Sequence, residues 1–397
     1  MAPTNRKNTG ETSEAGEEKK NGKGSWRRPT DTAFQQQRLR ASHPLFIPRT
    51  VIPTLLVIGV ILAPIGGLLI WGNTLVSEID IDYTHCELLP STTSNSTPLS
   101  FTNLSSSDYS YKLRAVSSDL TVNPPQYAFL DLTGTDGITN ATARQCVLQF
   151  DVPADIQPPV MLYYKLSNFY QNHRRYVKSA SLDQLSGKKP NSKSLSDDCQ
   201  PLDKIGNQTI YPCGMIANSM FNDTFTSLTM LSGPEPNSTY AWSEKNIAWP
   251  GEARKYVTKP AYDPSEIVPP PFWVERFPNG YTADNIPDLK HDEHFQNWMR
   301  TAGLPTFSKL WGRNDDAALA QGRYQIVVNL NFPVLKYDGT KSIVISSAAW
   351  LGGKNPFLGW AYVAAAGFLL LLGVVVAIVN CVKPRKLGDP SKLSFNR

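Results

Sequence analysis

The sequence predicts an α+β fold, mostly antiparallel sheet with helical insertions, carried between two membrane-spanning helices. Three observations predict it. Two charge-free apolar stretches, 51–71 and 355–382, stand near the ends of the chain, each about as long as the roughly 20 residues needed to cross a bilayer core. The segment between them is rich in Pro, Ser, Thr, Asn and aromatic residues and shows alternating runs rather than long charge-patterned helices. All N-glycosylation sequons, at Asn95, Asn103, Asn140, Asn207, Asn222 and Asn237, fall in that same segment.

The elements follow in order. Residues 1–49 form a polar tail, disordered to about residue 25 because almost no large apolar side chain is present to build a core. Its second half places Arg28, Phe34, Arg38 and Leu39 among other polar residues, a stretch suited to gripping a partner or to snorkelling beside a membrane. Residues 50–75 form the first span. A cleaved signal peptide is excluded, since some 50 polar residues precede the apolar run and the run is too long.

The domain at 76–354 is large enough for a substantial core. Met161 to Tyr164 reads as a strand, followed by a short helix starting at Asn168, with Gln171 three residues on as in a capping box. A second helix is expected over 288–301, with Phe295, Trp298 and Met299 inward and Gly303 stopping it. Tyr324, Ile326, Val328 and Leu330 alternate with more polar residues, and 342–346 follows the Asp338-Gly339 turn. The two runs are expected to pair as antiparallel neighbours. The Pro269-Pro270-Pro271 run is an extended connector. Residues 355–382 form the second span and 383–397 a short tail.

Charge sets the orientation. The total of +5 resolves into basic tails, +5 over residues 1–49 and +4 over 383–397, and a domain of about −4. Basic flanks belong on the cytoplasmic side, so both termini are expected there and the domain on the lumenal or extracellular side, where sequons are modified. Basic tails beside an anionic leaflet explain the high pI without nucleic acid. Trp71, Trp350, Trp360 and Tyr362 stand at the outer ends of the spans, as interfacial rings do. Cys86, Cys146, Cys199 and Cys213 lie in the oxidising compartment and predict two disulfides. Three connectivities are possible, and pairing of sequence neighbours, Cys86–Cys146 and Cys199–Cys213, is preferred. Cys381 is separate, at the inner end of the second span, a packing residue or a palmitoylation site.

Strings that imitate catalytic motifs fail on inspection. Asp131-Leu132-Thr133-Gly134-Thr135 has Leu where an aspartyl-phosphate motif needs Lys, and Gly352-Gly353-Lys354 is followed by Asn355 where a phosphate loop needs Ser or Thr. His291 and His294 lack a third ligand, so neither metal nor cofactor is expected. His173, Arg174, Arg175 and Lys178 form the hardest cluster to dismiss, able to grip anionic groups or to serve as internal ion-pair partners. The spans hold no ionisable residue, which argues against transport by this chain alone. Small residues, Gly66 and Gly67 in the first and Ala361, Ala364, Ala365, Ala366 and Gly367 in the second, suit close packing against another helix. Three function classes remain: accessory subunit, membrane-anchored lumenal enzyme, and adhesion or receptor glycoprotein.

The residues also carry a resemblance. Arg28-Pro29 with Thr32-Ala33-Phe34 and Gln36-Gln37-Arg38-Leu39, Pro64-Ile65-Gly66, and Tyr83 to Cys86 begin it. Asn168-Phe169-Tyr170-Gln171-Asn172-His173-Arg174-Arg175-Tyr176, then Tyr211-Pro212-Cys213-Gly214 with Ile216-Ala217-Asn218-Ser219, and Trp298-Met299-Arg300-Thr301-Ala302 continue it, and Trp350-Leu351-Gly352-Gly353-Lys354-Asn355-Pro356-Phe357 closes it. In these strings the chain resembles the accessory beta subunits of type-IV P-type ATPases, the ligand-effect modulator or cell-division-control-fifty family. The resemblance implies a noncatalytic partner in a heterodimer with a lipid-flipping ATPase, needed for its folding, export from the endoplasmic reticulum and activity. It also implies a β-sandwich-like lumenal core, contact with membrane lipids, and residence in the endoplasmic reticulum, Golgi or endosomes, or plasma membrane. The residues expected to meet the partner are Arg28, Phe34, Arg38, Arg174, Arg175, Trp350 and Lys354. Gln35 departs from the basic residue found in many members, and two cysteine pairs rather than three resemble a fungal-type member.

Overall fold

A computed structural model describes residues 33, 34, 37, 39, 46–91, 98–114, 122–348 and 353–384. Arg28, Arg38, Asn95, Trp350 and most of both tails lie outside the described residues. The chain divides into two compact units, Met1–Thr54 with Val375–Arg397, and Leu55–Val374. In the first, the described residues are mainly the first turns of one long helix and the last turns of another, and in the former the Thr54 hydroxyl donates to the Thr50 carbonyl at 2.7 Å.

The long helices, Pro48–Thr74 and Pro356–Val382, have 27 residues each, or about 40 Å at 1.5 Å per residue. Both are long and apolar enough to cross a membrane. Their large side chains, among them Val57, Ile61, Leu68, Phe368 and Leu371, stand exposed, an arrangement stable where the solvent is itself apolar.

Small residues decide where the helices meet. A Cβ on Gly66 would lie 2.7 Å from a Val363 methyl, one on Gly59 2.7 Å from Leu370 Cγ, and one on Gly359 2.7 Å from Ile70 Cγ1. Each step along the first helix matches an equal step back along the second, so they run antiparallel. Buried Gly59 and Gly66 face buried Gly359, Ala366 and Gly373, a seven-residue spacing of small side chains that keeps one seam in contact over several turns. The neighbour that these faces meet is therefore the chain's own other span. Gly67, Ala364, Ala365 and Gly367 are exposed, away from the seam.

Between the helices, two antiparallel sheets share a core. The first runs Phe307–Asn314, Val160–Leu166, Lys341–Ser347, Glu78–Asp82, Tyr109–Lys112. The second runs Thr239–Tyr240, Leu228–Ser232, Gly322–Asn329, Arg144–Val152, Gln126–Asp131, Thr102–Asn103, with Thr224–Phe225 also on Gly322–Asn329. Ile79, Ile81, Leu162, Ile343 and Ile345 from the first pack with Leu148, Phe150, Ile326 and Val328 from the second. Alternation puts every second side chain on the inner face. Cys86 bonds Cys146, tying the turn after Glu78–Asp82 to a central strand of the other sheet.

The expected pairing of the 324–330 and 342–346 runs is not formed. Gly322–Asn329 pairs with Arg144–Val152 and Leu228–Ser232, whereas Lys341–Ser347 pairs with Glu78–Asp82 and Val160–Leu166. Asp338 does turn the chain in left-handed backbone, but the connection of eleven residues carries it from one sheet to the other. Each strand has an apolar face, and stacking those faces across the core buries both rows, which side-by-side pairing does not do.

A buried polar knot joins the layers. The Asp223 carboxylate accepts from Lys341 Nζ at 2.9 Å, the Tyr83 hydroxyl at 3.0 Å and the Asn331 and Phe332 amides at 2.6 Å each. Lys341 Nζ donates its next bond to the Phe332 carbonyl at 2.9 Å. Burial, then the adjacent carboxylate, pushes the Tyr83 phenol far above its ordinary range, so it remains a donor.

Beside the sandwich lies an aromatic core of Tyr211, Tyr256, Tyr262, Trp273, Phe277, Tyr281 and Phe295. The segment around Ile216 is its hub. The Tyr211, Ile216 and Ala217 carbonyls accept from Tyr281 Oη, Trp298 Nε1 and Trp273 Nε1 at 2.7, 2.8 and 3.0 Å, so these three buried donors and their acceptors are matched. Gly214, at φ +98°, leaves only 2.1 Å between a built Cβ and the Ser179 carbonyl, a space no side chain fits. Cys199 bonds Cys213 across a separation of 14 residues.

The second expected helix is shorter than 288–301, at Glu293–Met299. Asp292 caps it by accepting from the Phe295 amide at 2.9 Å, and Lys309 Nζ ends it by donating to the Asn297, Trp298 and Arg300 carbonyls. Burial, reinforced by Arg300, pulls the Lys309 ammonium down to about 7.

Candidate functional site

The strand Val160–Leu166 ends where the motif 168–176 begins, and no helix starts at Asn168. Asn168 adopts left-handed backbone at φ 54°, and its amide donates to the Tyr337 carbonyl at 2.9 Å. Gln171 does not act as a helix cap. It is buried, its Oε1 accepting from the Ala302 amide at 2.7 Å. Asn172 donates to the Gly303 carbonyl at 3.0 Å, and the Tyr176 hydroxyl pairs with Ser219 at 2.9 Å. Burial pushes the Tyr176 phenol to about 12, so it stays neutral. The capping signal was real chemistry directed at another segment, since Asn and Gln bond to whatever backbone the tertiary fold supplies.

Pinning these polar side chains beneath the turn leaves the cations outside. The helix is Arg174–Lys178, and His173, Arg174, Arg175 and Lys178 are all exposed. Among the described residues none of these four side chains makes an ion pair or hydrogen bond. Internal ion pairing, one of the two readings of this cluster, is thereby corrected: the cations face solvent. Tyr170 and Val177 are also exposed, at 57% and 46%. Adjacent to them opens a cleft of about 510 Å³ lined by Phe169, Tyr170, Tyr176, Phe272, Val334 and Tyr337. Phe272, Val274 and Tyr337 are each more than half exposed, and Lys336 Nζ stands 4.8 Å from the Tyr337 ring centre. Aromatic side chains mixed with Arg are the composition of protein interfaces rather than of ordinary surface.

Lys354 is a strut. Its Nζ donates to the Val76 and Lys112 carbonyls at 2.8 and 3.0 Å, holding the approach to the Pro356–Val382 helix against two strand ends. Burial pulls its ammonium below the usual range. Phe34 is 75% exposed in a turn whose Gln37 amide donates to the Phe34 carbonyl. Asn103, Asn140, Asn207 and Asn237 are exposed, and Asn222 is half-buried. Residues that sequence reasoning missed are Phe272, Val274 and Tyr337 on the cleft rim. Phe272 follows the proline run read as a plain connector, and no periodic signal marks it. His291 pairs with Asp288 at 2.7 Å and His294 with Glu244 at 3.4 Å, so the two imidazoles serve different carboxylates.

The family described as LEM3 (ligand-effect modulator 3) family / CDC50 family matches residues 69–386. The chain is 40% identical over 370 residues to the phospholipid-transporting ATPase accessory subunit CRF1 of Saccharomyces cerevisiae, covering 93% of this chain and 89% of that one. It is 36% identical over 381 residues to the phospholipid-transporting ATPase accessory subunit CDC50 of Chaetomium thermophilum, covering 93% and 91%. Against cell cycle control protein 50A of Bos taurus the identity is 36% over 368 residues, 89% of each chain.

Proposed function

The chain belongs to the LEM3/CDC50 family, and on that premise we propose that it works as the accessory, noncatalytic subunit of a phospholipid-transporting P-type ATPase. The observation that carries this is the likeness to named accessory subunits over 93% of the chain. Physical reasons agree. Between residues 51 and 71 and between 355 and 382 the spans bring no Asp, Glu, Lys, Arg or His into the membrane, Arg49 standing at the very start of the first helix, so lipid movement and phosphoryl chemistry fall to the ATPase. An obligate partner stabilises whatever folded form it binds. Expressed alone, the chain and its ATPase are expected to be retained in the endoplasmic reticulum, and together to leave it and hydrolyse ATP in response to lipid. Normal export and activity of every candidate ATPase without this chain overturns the reading.

The orientation we propose puts both termini in the cytoplasm and the domain in the lumen or outside the cell, on the basic flanks. The compartments follow the ATPase: endoplasmic reticulum, then Golgi, endosome or plasma membrane. Protease added to sealed microsomes is expected to remove only the tails. Loss of the domain under those conditions defeats the orientation.

The exposed turn at Arg174 and Arg175 is the surface of the domain we assign to the partner. Unpaired cations steer and orient an encounter without contributing to the monomer's fold. Arg174→Glu with Arg175→Glu is expected to lower recovery of the ATPase with this chain about tenfold, roughly 1.4 kcal/mol, with an unchanged melting temperature. Undiminished co-purification excludes this surface. The tail residues Arg28, Phe34 and Arg38, with Trp350, are proposed as further contacts, and Lys354 as the strut that sets the domain's angle on its span.

A further inference from the structure

We propose that Arg114 and Lys354 form a binding site for the phosphate of an anionic phospholipid, in the leaflet on the domain's side of the membrane. The site needs only that the two long helices span, in whichever orientation.

The backbone brings the two cations to one place. Lys354 stands two residues before the helix Pro356–Val382, and its Nζ donates to the Val76 and Lys112 carbonyls at 2.8 and 3.0 Å. Val76 is two residues past Thr74, where the other helix ends. Arg114 is two residues on from Lys112, and its amide donates to Ser77 Oγ at 3.0 Å. Two or three residues of chain extend at most about 7–11 Å, so both cations are held close to where the spans leave the hydrocarbon and enter the headgroup layer.

Their charge is unanswered. Lys112 pairs with Glu78 at 2.9 Å, which takes up the carboxylate beside them. Arg114 is exposed, and its guanidinium has no partner among the described residues. Lys354 directs two of its three N–H donors at carbonyls and keeps the third. A lysine at a membrane edge ordinarily snorkels on a flexible stem, whereas this one is fixed by the backbone it bonds. A fixed ammonium beside the planar fork of an arginine matches a phosphodiester, to which the guanidinium gives two parallel bonds. Two cations against one phosphate leave positive charge over, so a headgroup of net negative charge is favoured over one that carries its own ammonium.

Below the cations the surface turns apolar. Trp71, Phe357 and Trp360, on the outer turns of the two helices, are 57, 75 and 62% exposed. Such rings lie at the membrane interface, so a lipid whose tails run beside them presents its phosphate at the level of Arg114 and Lys354. Free phosphate has the charge but nothing to lay against the rings.

The test is photocrosslinking in vesicles. Purified full-length chain is reconstituted in phosphatidylcholine with a minor fraction of phosphatidylethanolamine whose amine carries a benzophenone acyl group, which removes the ammonium and leaves a net negative headgroup. Cross-linked peptides are mapped by mass spectrometry. Cross-links are expected on residues 112–114 and 353–357, separate from any on the basic tails. Arg114→Gln is expected to lower the yield there about fivefold, the effect of one cation near a charged surface, with tail cross-links and melting temperature unchanged. Arg114→Lys is expected to keep most of the yield. On the unsubstituted chain, added phosphatidylglycerol is expected to displace the probe from these residues, and added phosphatidylcholine or inorganic phosphate to leave it in place. Absence of cross-links on both segments overturns the proposal, as does a yield that Arg114→Gln leaves intact. Equal displacement by the two lipids overturns it without any variant, and displacement by inorganic phosphate assigns the pair to free anions instead.

Discussion

Replacing Asp223 with alanine is expected to destabilise the domain by about 3–5 kcal/mol, because it leaves a cation buried without its partner. Lys341 is 1% exposed and Asp223 2%, so the ammonium left behind is held away from bulk solvent. Two backbone amides, a phenol and an ammonium converge on that one side chain, and all lose their acceptor together. For a domain of this size the melting temperature should fall on the order of 10 °C. Tyr83→Phe, which removes one donor, should cost about 1 kcal/mol. The double variant Asp223→Leu with Lys341→Met should recover more than half of the loss, since an apolar pair avoids the desolvation of two charges. The sequon supplies a control. Thr224→Ala removes the glycosylation signal and keeps Asp223, so a purely glycan effect and a purely ionic one separate. Thermal unfolding of the purified full-length chain measures all of these, and an Asp223→Ala protein that melts with the wild type excludes the knot as a stabilising element.

The second large effect belongs to the helix seam. Gly66→Leu is expected to force the spans apart, because the first carbon of the new side chain already meets a Val363 methyl at 2.7 Å and the Val363 amide nitrogen at 2.9 Å. A methyl end can rotate away, but backbone cannot, so the helices must separate and lose contact along the seam. Overpacking of this kind costs about 1–3 kcal/mol or more. Gly67→Leu is the matched control, with nothing within 4 Å of its built Cβ. Melting in detergent should fall for Gly66→Leu and stay within error for Gly67→Leu. Equal behaviour of the two variants means that the spans do not pack through Gly66.

Much of the candidate site could be read in the linear text, and the remainder could not, for reasons visible in single residues. Arg174 and Arg175 announce themselves as charge beside aromatics, but whether charge is paired depends on what the fold brings within 4 Å, and among the described residues it brings them no acidic partner. Gln171 and Asn168 carry the pattern of a helix start, yet their bonding partners are Ala302 and Tyr337, more than a hundred residues away. Phe272 gains meaning only because the chain after the proline run passes Asn218 and Asn222.

What the sequence determined by itself is whatever depends on composition over a run of residues. Two apolar stretches without charge make helices suited to a membrane, alternation in 324–330 makes a strand with one inner face, and four cysteines in one compartment make two bridges. What only the tertiary structure decided is which surfaces meet. The run at 341–347 joined the opposite sheet, Gly66 found Gly359 and Val363 of its own chain, and Asp223, legible only as the middle of a sequon, became the anion of a buried ion pair. Periodicity is a property of neighbours along the chain, and it sets the faces of each element. Pairing between distant elements is settled by which stacking buries the most apolar surface and leaves the fewest polar groups alone, and that sum is taken over the whole fold.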